Sequence, residues 1–131
     1  MSRDEADRVR LNVGLSGPEP AYGDLDEAAI VQIHTVLDAA TETFADEIRR
    51  SIDYYHSQQL GGQIENVLLS GEGALTRNMR QYLEQALHVS VVRADPLLHV
   101  DENKSQITEP DIVAVAPRLA IAVGLALDDE D

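Results

Sequence analysis

The stretch VLLSGEGALTRNMR, Val67 to Arg80, runs from a continuous apolar core into two closely spaced glycines and then directly into a helical pattern. A strand, a small-residue turn and a helix start in such close succession are characteristic of an α/β unit. The helix N-terminus at such a junction offers unpaired N–H groups and partial positive charge to anionic ligands. Ordinary α/β domains use the same junction with no ligand, so the turn alone does not separate the two readings.

Working outward, the spacing predicts a strand over Ile64–Ser70, centred on Val67-Leu68-Leu69 and continuously apolar as a strand covered on both faces would be. A helix is predicted over Thr76–Leu87, burying Met79, Tyr82, Leu83, Ala86 and Leu87, and a second strand over Val89–Val92. This is a βαβ unit, whose strands should be parallel neighbours joined by a right-handed crossover. Asp95-Pro96 closes it, and Leu97–Pro110 reads as a polar loop.

Upstream, Ile30, Ile33, Leu37, Ala40, Phe44, Ile48, Ile52 and Tyr55 recur at helical spacing. An unbroken helix over Asp26–His56 would be about 45 Å long at 1.5 Å per residue. It is expected either to bend near Thr41 and Thr43 or to span two lobes, ending at Gly61-Gly62. Its opposite face carries Asp46, Arg49, Arg50 and Asp53, with Asp46 and Arg50 spaced for a weak i,i+4 pair. Before it, Asn12 to Gly23 holds three glycines and two prolines and reads as an exposed connection. Ser2 and Glu5 have capping-box spacing, which starts a short helix over Arg3–Leu11.

The last predicted helix, Pro117–Leu127, is apolar all round, which calls for cover on more than one side. Asp128-Asp-Glu-Asp then forms an acidic, solubilising tail. Two parallel strands are few for a covered sheet, so the chain is expected to be part of a larger structure.

Composition narrows the function. The chain has 131 residues, 44% hydrophobic and only 4% aromatic, enough for one mostly aliphatic core. Its net charge of −14 repels nucleic acid and anionic lipid. The absence of cysteine removes disulfides and thiolate chemistry and is compatible with a reducing cytosol. Met1–Glu5 carries charges of both signs with no apolar stretch after it, so no targeting segment is expected, and Leu119–Leu127 is about half a bilayer span.

Catalytic motifs are weak. Ser70 lacks the leading glycine of a nucleophile elbow, and neither a Walker loop nor a zincin helix is present. His34 and Asp38 at i,i+4 offer two ligands without a third, which favours an ordinary surface histidine. Asp7 and Arg10, at i,i+3, share a helix face and in isolation read as a surface ion pair.

The order LDEAA and ADEIRRSIDYYHSQ on the long helix, then IENVLLSGEGAL, PLLHV and APRLAIAVGLAL, is similar to the C-terminal part of the type IV pilus assembly protein PilM family. That family lies in the actin-like ATPase superfamily with the cell-division protein FtsA and the chaperone ATPases. SRDEADRVR resembles a helix of the superfamily's small second-lobe subdomain. The resemblance implies an α/β, partial actin-like (ribonuclease H-like) fold, with residues 1–24 a remnant of that subdomain and residues 25–131 the second-lobe core. It implies that Asp7 and Arg10 face the nucleotide ribose, that Gly71, Glu72 and Gly73 form the adenosine-binding turn, and that Gly124 lies beneath the same cleft. The family turn usually carries glycine where Glu72 stands.

The same resemblance implies a cytoplasmic scaffold, possible inner-membrane association only through partners, and other pilus assembly proteins as those partners. ATP is expected only together with a complementary first lobe, which supplies phosphate loops and metal-coordinating acids. The alternatives are an FtsA-like or purely structural interaction module with a vestigial cleft, and an unrelated small α/β enzyme, for which no acid, base or nucleophile is found.

Overall fold

The computed structural model describes residues 1–21, 23–58, 62–100 and 102–127. Five α-helices, α1 (Arg3–Asn12), α2 (Glu27–Ser57), α3 (Met79–Leu87), α4 (Glu109–Val115) and α5 (Ala120–Leu127), accompany two strands, β1 (Asn66–Leu69) and β2 (Ser90–Arg93). Short 3₁₀ turns occupy Glu72–Leu75 and Ala116–Arg118. β1 and β2 pair in parallel, Asn66 opposite Ser90 through Leu69 opposite Arg93, and Ala94 N–H extends the ladder to the Leu69 carbonyl at 2.9 Å. The expected βαβ unit is therefore present, within an α/β architecture.

The core lies between the second half of α2, α3 and one face of the sheet. Ala45, Leu83, Leu87 and Val91 are buried there, flanked by Ile48, Val67, Leu69, Met79, Tyr82, Ala86 and Val89. Small Ala45 lets α3 approach α2, and Arg49 Nη2 donates to the Ala86 carbonyl at 2.8 Å in the last turn of α3, where a cation opposes the helix dipole favourably. The α2 ion pair joins Arg49 to Asp46 at i,i+3 rather than Arg50 at i,i+4. Among the described residues no helix is long and apolar enough to cross a membrane.

Local signals set the ends of most helices. Ser2 and Glu5 form the reciprocal capping box at α1. Asp26 caps α2, accepting from Ala29 N–H at 2.7 Å, and α2 continues through Thr41 and Thr43 as a single 31-residue helix. Thr108 caps α4 with Pro110 in its first turn, so a helix begins at the end of the expected loop.

Four further expectations are corrected. The connection after α1 is not wholly exposed: Val13, Gly14 and Leu15 are buried, because they pack on the turn that precedes α3. α3 starts at Met79 rather than Thr76, since the Glu72–Leu75 turn and a left-handed Asn78 intervene. β1 is shorter than expected and not covered on both faces: Leu68 is 70% exposed, because helices cover only the Val67 and Leu69 side among the described residues. α5 begins at Ala120, after Pro117 is absorbed into a 3₁₀ turn, and it is uncovered, with Ile121 78% and Leu125 69% exposed. The expected helix stop at Gly61 and the acidic tail Asp128–Asp131 lie outside the described residues.

Candidate functional site

The segment after α1 fixes the site. Gly14 has φ +67, and a Cβ on it would lie 2.5 Å from the Arg77 carbonyl oxygen and closer still to Arg77 Cβ. Only glycine admits that approach. Leu15 N–H then donates to the Arg77 carbonyl at 3.1 Å, and Arg77 N–H donates to the Arg10 carbonyl at 3.3 Å.

Asn78 completes the joint. Its backbone is left-handed at φ 63, a conformation asparagine tolerates better than most residues, and its side chain is buried. Its Nδ2 donates to the Leu15 carbonyl at 2.8 Å and the Glu19 carbonyl at 3.2 Å, while its Oδ1 accepts from Glu19 N–H at 3.3 Å. All three contacts hold the incoming chain against the start of α3.

This joint carries the last turn of α1 to the glycine turn. Arg10 Nη1 donates to the Glu72 carbonyl and, at 3.2 Å, to Thr76 Oγ1; Arg10 Nη2 meets Asp7 Oδ1 at 3.3 Å. Asp7, Arg10 and the turn are thus brought together across more than sixty residues of sequence. Gly71 adopts φ 87, ψ 175, a region essentially reserved for glycine, so it is required by the backbone whatever the turn binds. Gly73 is exposed, with nothing within 4 Å of where a Cβ would stand.

The Glu72 carboxylate is engaged by the Arg118 guanidinium from the 116–118 turn. Thr76, Asn78, Gly14 and Arg118 all belong to this arrangement and were not singled out from sequence. Gly14 lay in the expected connection, while Asn78 and Arg118 fell inside the helices expected over Thr76–Leu87 and Pro117–Leu127. Gly124 is exposed on α5, and neither α1 nor the glycine turn comes within 4 Å of its Cβ position.

The His34–Asp38 pair is not assembled as a ligand set. Asp38 instead accepts from Ser16 N–H at 3.1 Å and from Ser16 Oγ, tying the connection to α2. Among the described residues no group of three histidine, cysteine or carboxylate side chains is placed to hold a metal ion.

Chemically, the edge offers a half-exposed carboxylate acceptor, a guanidinium donor beside it and a turn with two side-chain-free positions. A search of curated proteins returned no match. A family model described as type IV pilus assembly protein PilM matches residues 29–130, most of the chain. The chain belongs to the type IV pilus assembly protein PilM family.

Proposed function

We propose that the chain serves type IV pilus assembly as a cytoplasmic scaffold component carrying the adenosine-facing half of an ATP cleft, and that it performs no chemistry alone. The observation that supports this reading is the reach of Arg10, paired with Asp7, onto the Glu72 carbonyl and Thr76 of the glycine turn. An acceptor-only carboxylate beside a donor-only guanidinium suits the vicinal hydroxyls of a ribose, each of which can donate and accept. Side-chain-free Gly71 and Gly73 leave room for a flat base to approach the backbone. The pairing of Glu72 with Arg118 offsets the like charge that a free carboxylate would bring toward phosphate.

On this reading the two-stranded α/β unit is a piece of an actin-like fold. The phosphates and their metal ion then depend on a complementary lobe, and the partners are that lobe and other pilus assembly proteins. ATP would supply the energy of any conformational cycle, while this chain's residues bind and orient its adenosine end.

The test is a titration with fluorescent ATP of the chain combined with a phosphate-binding first lobe from the same family. Arg10→Ala and Asp7→Asn should each weaken binding about tenfold, equivalent to about 1.4 kcal/mol. Absent binding, or binding by both variants as tight as that of the parent chain, would overturn the cleft. One observation favours a second reading, an interaction module with a vestigial cleft: Arg10 Nη1 is already committed to the turn itself. In that case Arg10→Ala lowers stability and leaves the titration unchanged, and Glu72→Gly gives no gain in affinity.

A further inference from the structure

We infer that the carboxyl end of β2 opens onto a two-part docking site for an acidic, aliphatic peptide segment of a partner protein. Two cavities, of about 590 Å³ and about 240 Å³, adjoin there, with Leu75 and Arg93 lining both. Asp7, Arg10, Gly71, Glu72 and Gly73 line neither: the smaller cavity borders the joint through Leu11, Thr76 and Asn78 but does not include the Asp7–Arg10 pair or the glycine turn. In open α/β sheets, ligands collect outside the carboxyl ends of parallel strands. The inference rests on the scaffold part of the proposed function and not on its ATP cleft.

The two cavities differ in chemistry. The larger lies between the loop after β2 and α4, with Leu97, Val100, Ile112 and Val113 supplying aliphatic wall. Its two acids are engaged locally: Asp95 Oδ1 accepts from Leu97 N–H at 3.0 Å, and Glu109 Oε1 accepts from Asn103 Nδ2 at 3.3 Å. The smaller cavity gathers Arg77, Arg80 and Arg93, three of only ten basic residues in a chain of net charge −14, against a single lining carboxylate, Glu19.

Arg77 pairs with Glu19 at 3.5 Å and Arg80 with Glu84 at 3.1 Å. Arg93, which stands at the junction of the two cavities, makes no ion pair among the described residues. A carboxylate entering the smaller cavity meets a planar donor there, while a neighbouring aliphatic side chain fills the larger. Charge complementarity thus selects an acidic, aliphatic segment against the overall sign of the protein.

The overall charge makes the test decisive, because unspecific attraction on this chain favours cations. Fluorescence anisotropy would compare a labelled hexapeptide alternating leucine with glutamate, its leucine–lysine counterpart, and inorganic phosphate as competitor, all against the full chain. The glutamate peptide should bind at least tenfold more tightly than the lysine peptide, weaken with added salt, and resist displacement by phosphate. Arg93→Glu, at an exposed position, should reverse the preference, and Val113→Glu, where the side chain is 64% exposed, should weaken the glutamate peptide at least fivefold.

Unchanged circular dichroism of both variants separates lost docking from lost folding. Tighter binding of the lysine peptide, indifference to Arg93→Glu, or equal affinity for phosphate alone would each overturn the site. The ATP titration is unaffected by any of these outcomes, so the two proposals fail separately.

Discussion

Replacing Gly14 with alanine should be the most damaging small change at the joint between the N-terminal segment and the glycine turn. At φ +67 an alanine pays about 1–2 kcal/mol for a left-handed backbone. Its Cβ would also stand 2.5 Å from the Arg77 carbonyl oxygen and 2.9 Å from the Arg77 carbonyl carbon, both backbone atoms that cannot swing aside. Separating the strands of chain to relieve that overlap breaks two hydrogen bonds, Leu15 N–H to the Arg77 carbonyl and Arg77 N–H to the Arg10 carbonyl, at about 1 kcal/mol each.

Lower backbone freedom in the unfolded chain returns about 0.5 kcal/mol, which leaves a net loss of about 3 kcal/mol. Two further glycines grade the effect. Gly71→Ala meets no neighbour but leaves a glycine-only region, costing about 1–3 kcal/mol, whereas Gly73→Ala meets neither obstacle and should stay within about 0.5 kcal/mol of the parent. Urea denaturation followed by far-ultraviolet circular dichroism measures all three. A loss below about 1 kcal/mol for Gly14→Ala, or an equal loss for Gly73→Ala, would refute the close-approach reasoning.

Asn78→Ala, which forfeits both the left-handed preference and three side-chain hydrogen bonds, should cost about 2–3 kcal/mol, and Asn78→Gly less; combined with Gly14→Ala it should be less than additive, as a double-mutant cycle would read. Leu83→Ala, at 0% exposure in the core, should cost about 3 kcal/mol in the same denaturation assay. Burial first, then Glu42, Asp38 and Asp46, raise the Tyr82 pKa from its ordinary 10.0. The folded chain therefore keeps a proton that the unfolded chain releases, so this contribution is fully present below pH 10.0 and is lost as pH rises beyond it. Tyr82→Phe should flatten that alkaline loss when denaturation midpoints are compared on either side of the window; an unchanged slope would discount it.

Periodicity made the long helix legible but overstated its burial: of α2 only Thr41 and Ala45 are buried, and Phe44 and Tyr55 of the expected stripe stand exposed because α3 covers only part of that face; the βαβ unit followed from apolar runs separated by glycine. The capping box at Ser2 and Glu5 was equally readable because both of its bonds are local. The features without a local signal are non-local contacts. Val13 and Leu15 sit in a glycine- and proline-rich run that local chemistry marks as exposed, yet their burial depends on Arg77 and Asn78, more than sixty positions away. Leu68 and Ile121 erred in the opposite direction: apolar character announced burial, while the neighbours needed to provide it are not among the described residues. At the site, i,i+3 spacing put Asp7 and Arg10 on one face, but the contact from Arg10 to Thr76 and the capture of Glu72 by Arg118 required the fold. Thr108 and Pro110 did carry a legible start for α4, masked by the polar residues before it.

The tether between Arg10 and the Glu72 carbonyl spans 62 positions, and closing a loop of that length costs about 3.7 kcal/mol of chain entropy. The short-range strand–helix–strand unit carries no such burden, so it should assemble early and present a finished platform to which the first nineteen residues attach late. Amide exchange should then release α1 and its tether well before α3, making the N-terminal segment a latch that can open while the rest of the protein stays folded.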